Sequence, residues 1–392
     1  MKLIAIPAPD FDLAMTLDSG QVFHWEKAGN GFVGTVGECP AYIEQDGNVL
    51  RAKVASASSR SRLGPEQDAH ATIANYFALD HPLADICASF PNDPIMNEAC
   101  DFCRGLRIIR QPKWECLATF VCSSMKQVAH IRQISLALRQ RFGDRRGVGD
   151  HVVHTFPPAR RIARATEDDL RKCALGYRAK NLLASARLVD SGKCDLESWS
   201  ALSDPDLREK LCSLPGAGAK IANCVMLFAY ERLRAFPIDV WIERVLKQQY
   251  FPRKKKVTKL QLREFSEEYF GGHGGYAQQY LFHHARMGPR TSGVSRDSSR
   301  PSHKATAWQA TPKAFGARND KGEGARLASR RSRMAKKLND GAGAPSRRRT
   351  RVVRPEGGPS PRLGRDRRKR AGVGARSGQK RERPVNASCQ AL

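Results

Sequence analysis

No stretch of this chain approaches the roughly 20 consecutive apolar residues that cross a bilayer. The first ten residues, M-K-L-I-A-I-P-A-P-D, hold no apolar run long enough for a secretory signal. Both absences favour a soluble intracellular protein. The 11 cysteines are an odd count, scattered singly through segments that read as buried helices. That is the usage of a reducing compartment and not of a disulfide scaffold. The single C-x-x-C, Cys100 and Cys103, has no second pair and no histidine pair at zinc-finger spacing. It reads as two small core residues and not as a metal site. Acid is scarce too, with 39 Asp+Glu against 67 Lys+Arg, a net charge of +28. Such a balance favours a polyanionic partner, of which nucleic acid is the commonest.

The excess is unevenly spread. Residues 290–392 carry 28 basic and 7 acidic side chains, and residues 1–289 carry 39 and 32. The last segment has only Trp308 and Phe315 as Trp, Phe or Tyr residues. It cannot bury enough apolar surface to offset its ordering entropy, so it is expected to be disordered. Its bias of 21 Arg to 7 Lys fits a nucleic-acid arm and equally fits out-of-frame translation of GC-rich DNA.

The rest has the 41% hydrophobic content of an ordinary globular chain. Within residues 1–60, F-V-G-T-V, A-Y-I-E-Q and N-V-L-R-A-K-V alternate apolar and polar residues with Gly and Asn between them, the pattern of an antiparallel meander. From about 66 the spacing becomes helical, and it stays so through 113–142, 167–191, 204–232, 239–250 and 259–288. The expected architecture is α+β. A β-rich domain with helices (1–105) packs on a helical body (106–289), followed by the basic tail (290–392).

The chemistry centres on D-P-D-L-R-E-K-L-C-S-L-P-G-A-G-A-K-I-A-N, residues 204–223. One amphipathic helix ends near Ser213, Leu214 to Gly218 make a tight turn, and a second helix starts near Ala219. Gly216 and Gly218 permit positive φ and let backbone approach a ligand closely. The N–H groups of the new helix face that turn, a suitable place to hold a phosphate. This is a helix-hairpin-helix with a DNA-binding hairpin, a motif that many proteins use without any chemistry. Lys220, in the first turn of the second helix, suggests more, because the positive end of the helix dipole disfavours a protonated amine there. Asp239, in F-P-I-D-V-W, stands where an N-cap would and is unremarkable as one. Paired with Lys220 it supplies a carboxylate able to stabilise a cationic sugar.

L-P-G-A-G-A-K-I-A-N-C followed by P-I-D-V-W resembles the signature of the helix-hairpin-helix DNA glycosylase superfamily. With the lysine in place it is similar to the 8-oxoguanine DNA glycosylase branch. Endonuclease III relatives share the lysine but carry a four-cysteine iron–sulfur motif after the aspartate, and only Cys389 lies beyond Asp239 here. The resemblance runs over about residues 10–288. It implies that Lys220 is the nucleophile and Asp239 the stabilising carboxylate. In D-S-G-Q-V-F-H-W it implies that the Gly20 carbonyl reads the N7 hydrogen that 8-oxoguanine has and guanine lacks. In G-Y-A-Q-Q-Y-L-F it implies that Gln278 bonds the Watson–Crick edge and Phe282 stacks on the base, with Cys224 on the other face. In G-Y-R-A-K, Tyr177 would wedge the duplex and Arg178 contact the orphaned opposite base.

Departures from the family pattern accompany these matches. Met125 stands where the family has an Asn-rich run and would fill the vacated stack as an apolar wedge. His130 replaces an arginine that reads the opposite cytosine, Trp241 a histidine near the 5′ phosphate, and Phe228 a methionine near the base pocket. Cys224, Phe228 and Phe282 would be core residues in most proteins, and Gln278 could lie at the surface. The resemblance further implies a monomer acting on double-stranded DNA that contains a damaged base, without cofactor, metal or membrane, in nucleoid or nucleus. Two other readings stay open: an alkylpurine glycosylase in which Lys220 is incidental, and a non-catalytic DNA-binding protein.

Overall fold

The computed structural model of the protein describes residues 3–55, 65–124, 126–254 and 256–288. Met125 and the basic tail lie outside the described residues. Five strands, β1 (Ile4–Pro7), β2 (Glu26–Ala28), β3 (Gly31–Val36), β4 (Cys39–Asp46) and β5 (Val49–Val54), form an antiparallel sheet in the order β1-β5-β4-β3-β2. The alternation in sequence is what buries Ile43, Leu50 and Ala52 while leaving Arg51 outside. The meander runs through β2 to β5, and helix α1 (Leu13–Asp18) separates it from β1, which pairs with β5. Asp12 caps α1 through a bond from Met15 N, and Gln45 Oε1 accepts from Leu13 N at 2.7 Å.

The helices follow as α2 (Pro65–Tyr76), α3 (Leu83–Ala88), α4 (Pro94–Phe102), α5 (Lys113–Ser123) and α6 (Val128–Phe142). A hairpin, β6 (Arg145–Val148) with β7 (His151–His154), comes next. Then come α7 (Ala159–Ala163), α8 (Glu167–Arg171), α9 (Arg178–Asp190), α10 (Asp204–Cys212), α11 (Ala219–Ala229), α12 (Val240–Val245), α13 (Lys259–Tyr269) and α14 (Gly274–Met287). The β6–β7 hairpin has no counterpart in the expected pattern, because only Val148 and Val153 of it are buried, against Val33. Among the described residues no helix is long and apolar enough to cross a membrane.

Besides that valine cluster, two larger cores hold this arrangement. The smaller gathers Ile6, Trp25, Ile43, Leu50, Ile73 and Phe77 between the sheet and α2. The larger runs through the helices, from Ile86 and Met96 to Tyr280. Buried polar groups join the two. His24 Nε2 lies 2.9 Å from Thr35 O, and Arg139 Nη1 donates to Thr35 Oγ1 at 2.9 Å while Nη2 pairs with Glu115. Gln21 accepts from Ile109 N at 2.8 Å and donates to Arg107 O at 2.8 Å, and its own carbonyl accepts from Gln111 Nε2. On the other side of Gly20, Ser19 O accepts from Gln279 Nε2 at 2.7 Å. Gly20 is thereby fixed from both flanks, between the sheet domain and α14. Cys103 is buried with its thiol on Tyr280 O, as a core residue should be.

Candidate active site

α10 and α11 are joined by the tight turn expected of the hairpin. Gly216 has φ +80°, and a Cβ there would sit 2.7 Å from the Asn181 side chain, so both conformation and space require glycine. Gly218 is the N-cap of α11 and leaves that helix end without a side-chain cap. Open space surrounds the position of a Gly218 Cβ. Backbone N–H groups at such an end are available to an anion.

Lys220 is the second residue of α11. Its Nζ lies 3.5 Å from Ser123 Oγ and 5.1 Å from the centroid of the Phe120 ring. Ser123 is buried, and its hydroxyl in turn donates to Phe120 O at 2.7 Å. One turn along α11, burial pushes the Cys224 thiol up from its ordinary range, and the charge of Lys220 pulls it partly back. Asp239 acts on the same thiol in the raising direction, which puts the carboxylate within electrostatic reach of this group. Asp239 is the N-cap of α12, with Oδ1 accepting from Trp241 N and Ile242 N at 2.9 Å each. It is half-buried. Cap and carboxylate are therefore the same group, and the cap bonds fix its aim.

Phe228 is buried and stacks on Phe120 with centroids 5.5 Å apart. It backs the ring that Lys220 touches. On α14, Gln278 is 4% exposed, not at the surface, and its Oε1 is buried without a hydrogen-bond partner. Buried orphan acceptors are uncommon, and this one is free to accept from a donor that enters beside it. Phe282, one turn on, lies against Gly20, whose Cβ position is 3.1 Å from the Phe282 ring. Gly20 has φ +85°.

The residues expected on the DNA side are spread around this centre. His130 is exposed in the first turn of α6, Tyr177 is 59% exposed at the start of α9, and Trp241 is half-buried with Arg244 over its ring. Arg178 is turned inward. Its Nε and Nη2 donate to Ser124 O and its guanidinium lies 4.3 Å from the Tyr177 centroid. Phe120, Ser123 and Arg286 also belong to the site. Phe120 and Ser123 sit in C-L-A-T-F-V-C-S-S, a run whose apolar periodicity hides them as core. Arg286 follows Phe282 by four residues, the spacing that shares a helix face.

Residues 118–270 match the family described as HhH-GPD superfamily base excision DNA repair protein. The helical body is thus that of a base-excision DNA glycosylase. Residues 3–117 match the 8-oxoguanine DNA glycosylase N-terminal domain. The N-glycosylase/DNA lyase OGG1 of Arabidopsis thaliana is 30% identical over 292 residues, 70% of this chain and 77% of that protein. The chain belongs to the 8-oxoguanine DNA glycosylase family. A probable N-glycosylase/DNA lyase of Methanothermobacter thermautotrophicus is 27% identical over 307 residues, covering 72% of this chain and 95% of that one. The Clostridium acetobutylicum 8-oxoguanine glycosylase/lyase, solved with duplex DNA containing cytosine opposite 8-oxoguanine, superposes with a TM-score of 0.64 at 26% identity. It spans 73% of this chain and 99% of its own.

Proposed function

We propose that this protein is a bifunctional DNA glycosylase and abasic-site lyase that excises 8-oxoguanine from duplex DNA. The observation that carries the reading is the cluster at the hairpin, with the Lys220 amine 3.5 Å from Ser123 Oγ and the Lys220 and Asp239 charges both acting on the Cys224 thiol. The relatives named N-glycosylase/DNA lyase support it.

The damaged nucleotide leaves the stack and enters the space bounded by Gly20, Cys224, Gln278 and Phe282. The Gly20 carbonyl accepts from N7–H, and the orphan Oε1 of Gln278 accepts from the Watson–Crick edge. The lone pair of Lys220 Nζ attacks C1′ as the glycosidic bond breaks, and its electrons leave with the base, which takes up a proton. Asp239 stabilises the positive charge that develops on the sugar. Loss of the amine proton and ring opening give a Schiff base. Removal of a C2′ proton then expels the 3′ phosphate by β-elimination, and water frees Lys220. Gly216 and Gly218 hold phosphate at the hairpin, with Trp241 near the 5′ phosphate. Tyr177 and Met125 fill the duplex where the base was. To reach the orphaned base, Arg178 leaves its bonds to Ser124 O, and His130 stands beside it.

In this reading residues 1–105 supply the Gly20 wall and residues 106–289 the nucleophile. The protein works wherever the cell keeps its DNA, the nucleoid of a bacterium or the nucleus of a eukaryote. The test is a set of duplexes carrying one 8-oxoguanine opposite each of the four bases, scored for excision, strand nicking and borohydride trapping. Excision with trapping is expected. Excision of alkylpurines without trapping, or binding blind to damage, would overturn the reading.

A further inference from the structure

Arg286 closes the wall between Gly20 and Phe282. It sits on α14 one turn beyond Phe282, with its guanidinium carbon 5.5 Å from the centroid of that ring. Its side chain is 11% exposed. Nη2 donates to the Asp18 carbonyl and lies 3.6 Å from Asp18 Oδ2. Nη1 is buried and has no hydrogen-bond partner. It occupies the space beside Gly20 that any side chain there would need, 2.9 Å from the position of a Cβ. The absence of a side chain at Gly20 thus admits a guanidinium as well as a base. Asp18 and Asp239 both act on this guanidinium in the direction that keeps it charged, against burial. A buried cationic donor left without an acceptor is costly, more so than a neutral one.

We propose that Arg286 is a second reader of the oxidised base, donating from Nη1 to the C8 carbonyl oxygen while the Gly20 carbonyl accepts from N7–H. The inference rests on the 8-oxoguanine reading above. N7 and C8 are bonded neighbours, so an acceptor for one and a donor for the other must stand close together, and Nη1 lies 2.9 Å from the Cβ position of Gly20. Phe282 touches both and sets the plane in which the base lies. Undamaged guanine offers neither partner in this arrangement, having a bare N7 against the Gly20 carbonyl and a C8–H against Nη1. Two bonds then fail together, where one carbonyl alone would leave the discrimination to a single bond.

The test compares wild type, Arg286→Leu and Arg286→Lys in single-turnover excision of 8-oxoguanine and of 8-thioguanine from otherwise identical duplexes. The thio base keeps N7–H but offers sulfur, a weak acceptor, at C8. Arg286→Leu should slow release of 8-oxoguanine by roughly tenfold or more, the effect of losing a hydrogen bond from a charged donor. Release of 8-thioguanine should fall by a much smaller factor. Arg286→Lys, which keeps a cationic donor, should lie between. Equal losses on both bases would mean that Arg286 only props the wall. Equal slowing of nicking at a preformed abasic site would move its contact to sugar or phosphate. Either result, or no change at all, overturns the assignment. A wild-type protein that leaves 8-oxoguanine in place removes the function proposed above, and this inference with it. Wild-type excision with unaffected variants removes this inference alone.

Discussion

At the scale of single residues, the proposed mechanism separates groups that hold from groups that react. Lys220→Gln should abolish borohydride trapping to damaged duplex while leaving DNA affinity nearly intact, since hairpin and glycines remain. Trapping and affinity measured on the same preparation check this, and undiminished trapping would remove Lys220 from the reaction. Asp239→Asn keeps an oxygen for Trp241 N and Ile242 N, so the start of α12 survives. It loses the charge facing the sugar, and base release should slow by about tenfold or more. A variant that is only less heat-stable would mark Asp239 as a cap and nothing else. His130 is shorter than arginine and lacks its two-pronged fork, and Arg178 must give up its bond to Ser124 O to reach the base. Preference for cytosine opposite the lesion should therefore be weak, well under roughly a thousandfold over adenine, because a good bidentate contact is what discriminates bases most strongly. Competition between the two duplexes at equal concentration measures it.

At the scale of elements, the α10–α11 turn and the seam between sheet and helices make separate predictions. Gly216→Ala puts an L-residue at φ +80° against Asn181 and should destabilise the fold by about 1–2 kcal/mol, with weaker DNA binding. Thermal unfolding and a binding titration check both. In the seam, burial and the Arg139 charge hold the His24 imidazole well below its ordinary value of 6.5. The folded state then binds fewer protons than the unfolded chain as the pH falls below 6.5. Stability from this group is fully present above that value and declines on acidification, by up to about 1.4 kcal/mol per pH unit. Denaturant titrations between neutrality and acid should show the slope, and His24→Asn should flatten it. Much of this architecture was legible in the alternation of residues 31–54 and the helical spacing from 66 onward. α1 was not, because one turn and a half within a strand-rich stretch is too short to declare a period. The β6–β7 hairpin escaped because two buried valines carry it. At the site, Lys220 and Asp239, the pair proposed to react, show in the sequence because glycines and prolines precede them. Arg286 does not, because its role comes from the end of α1, 268 residues away in the chain.

At the scale of the molecule, the charge is divided between a body with modest excess and a tail of 28 basic residues. Basic residues interspersed with Gly, Ser and Pro bind phosphates without reading bases. Removing residues 290–392 should therefore weaken binding to damaged and undamaged duplexes by the same factor. Every phosphate that the tail no longer neutralises should also flatten the slope of log affinity against log salt by about 0.9. Turnover at saturating DNA should not fall. Affinity at three salt concentrations, with and without the tail, decides it, and an unchanged slope would mean the tail does not touch DNA.

The wall of the pocket is closed by bonds from α14 to the Ser19 and Asp18 carbonyls, across 260 and 268 residues. During synthesis the sheet and the Lys220 hairpin leave the ribosome well before α14 does. A chain stopped near residue 270 would hold Lys220 and Gly20 but lack Gln278, Phe282 and Arg286. Contacts of such separation also form late when a full chain folds, since loop closure must precede them. The amine proposed to react is thus made before most of the groups proposed to choose its base, and the site is complete only once α14 has docked on the end of α1, made near the start.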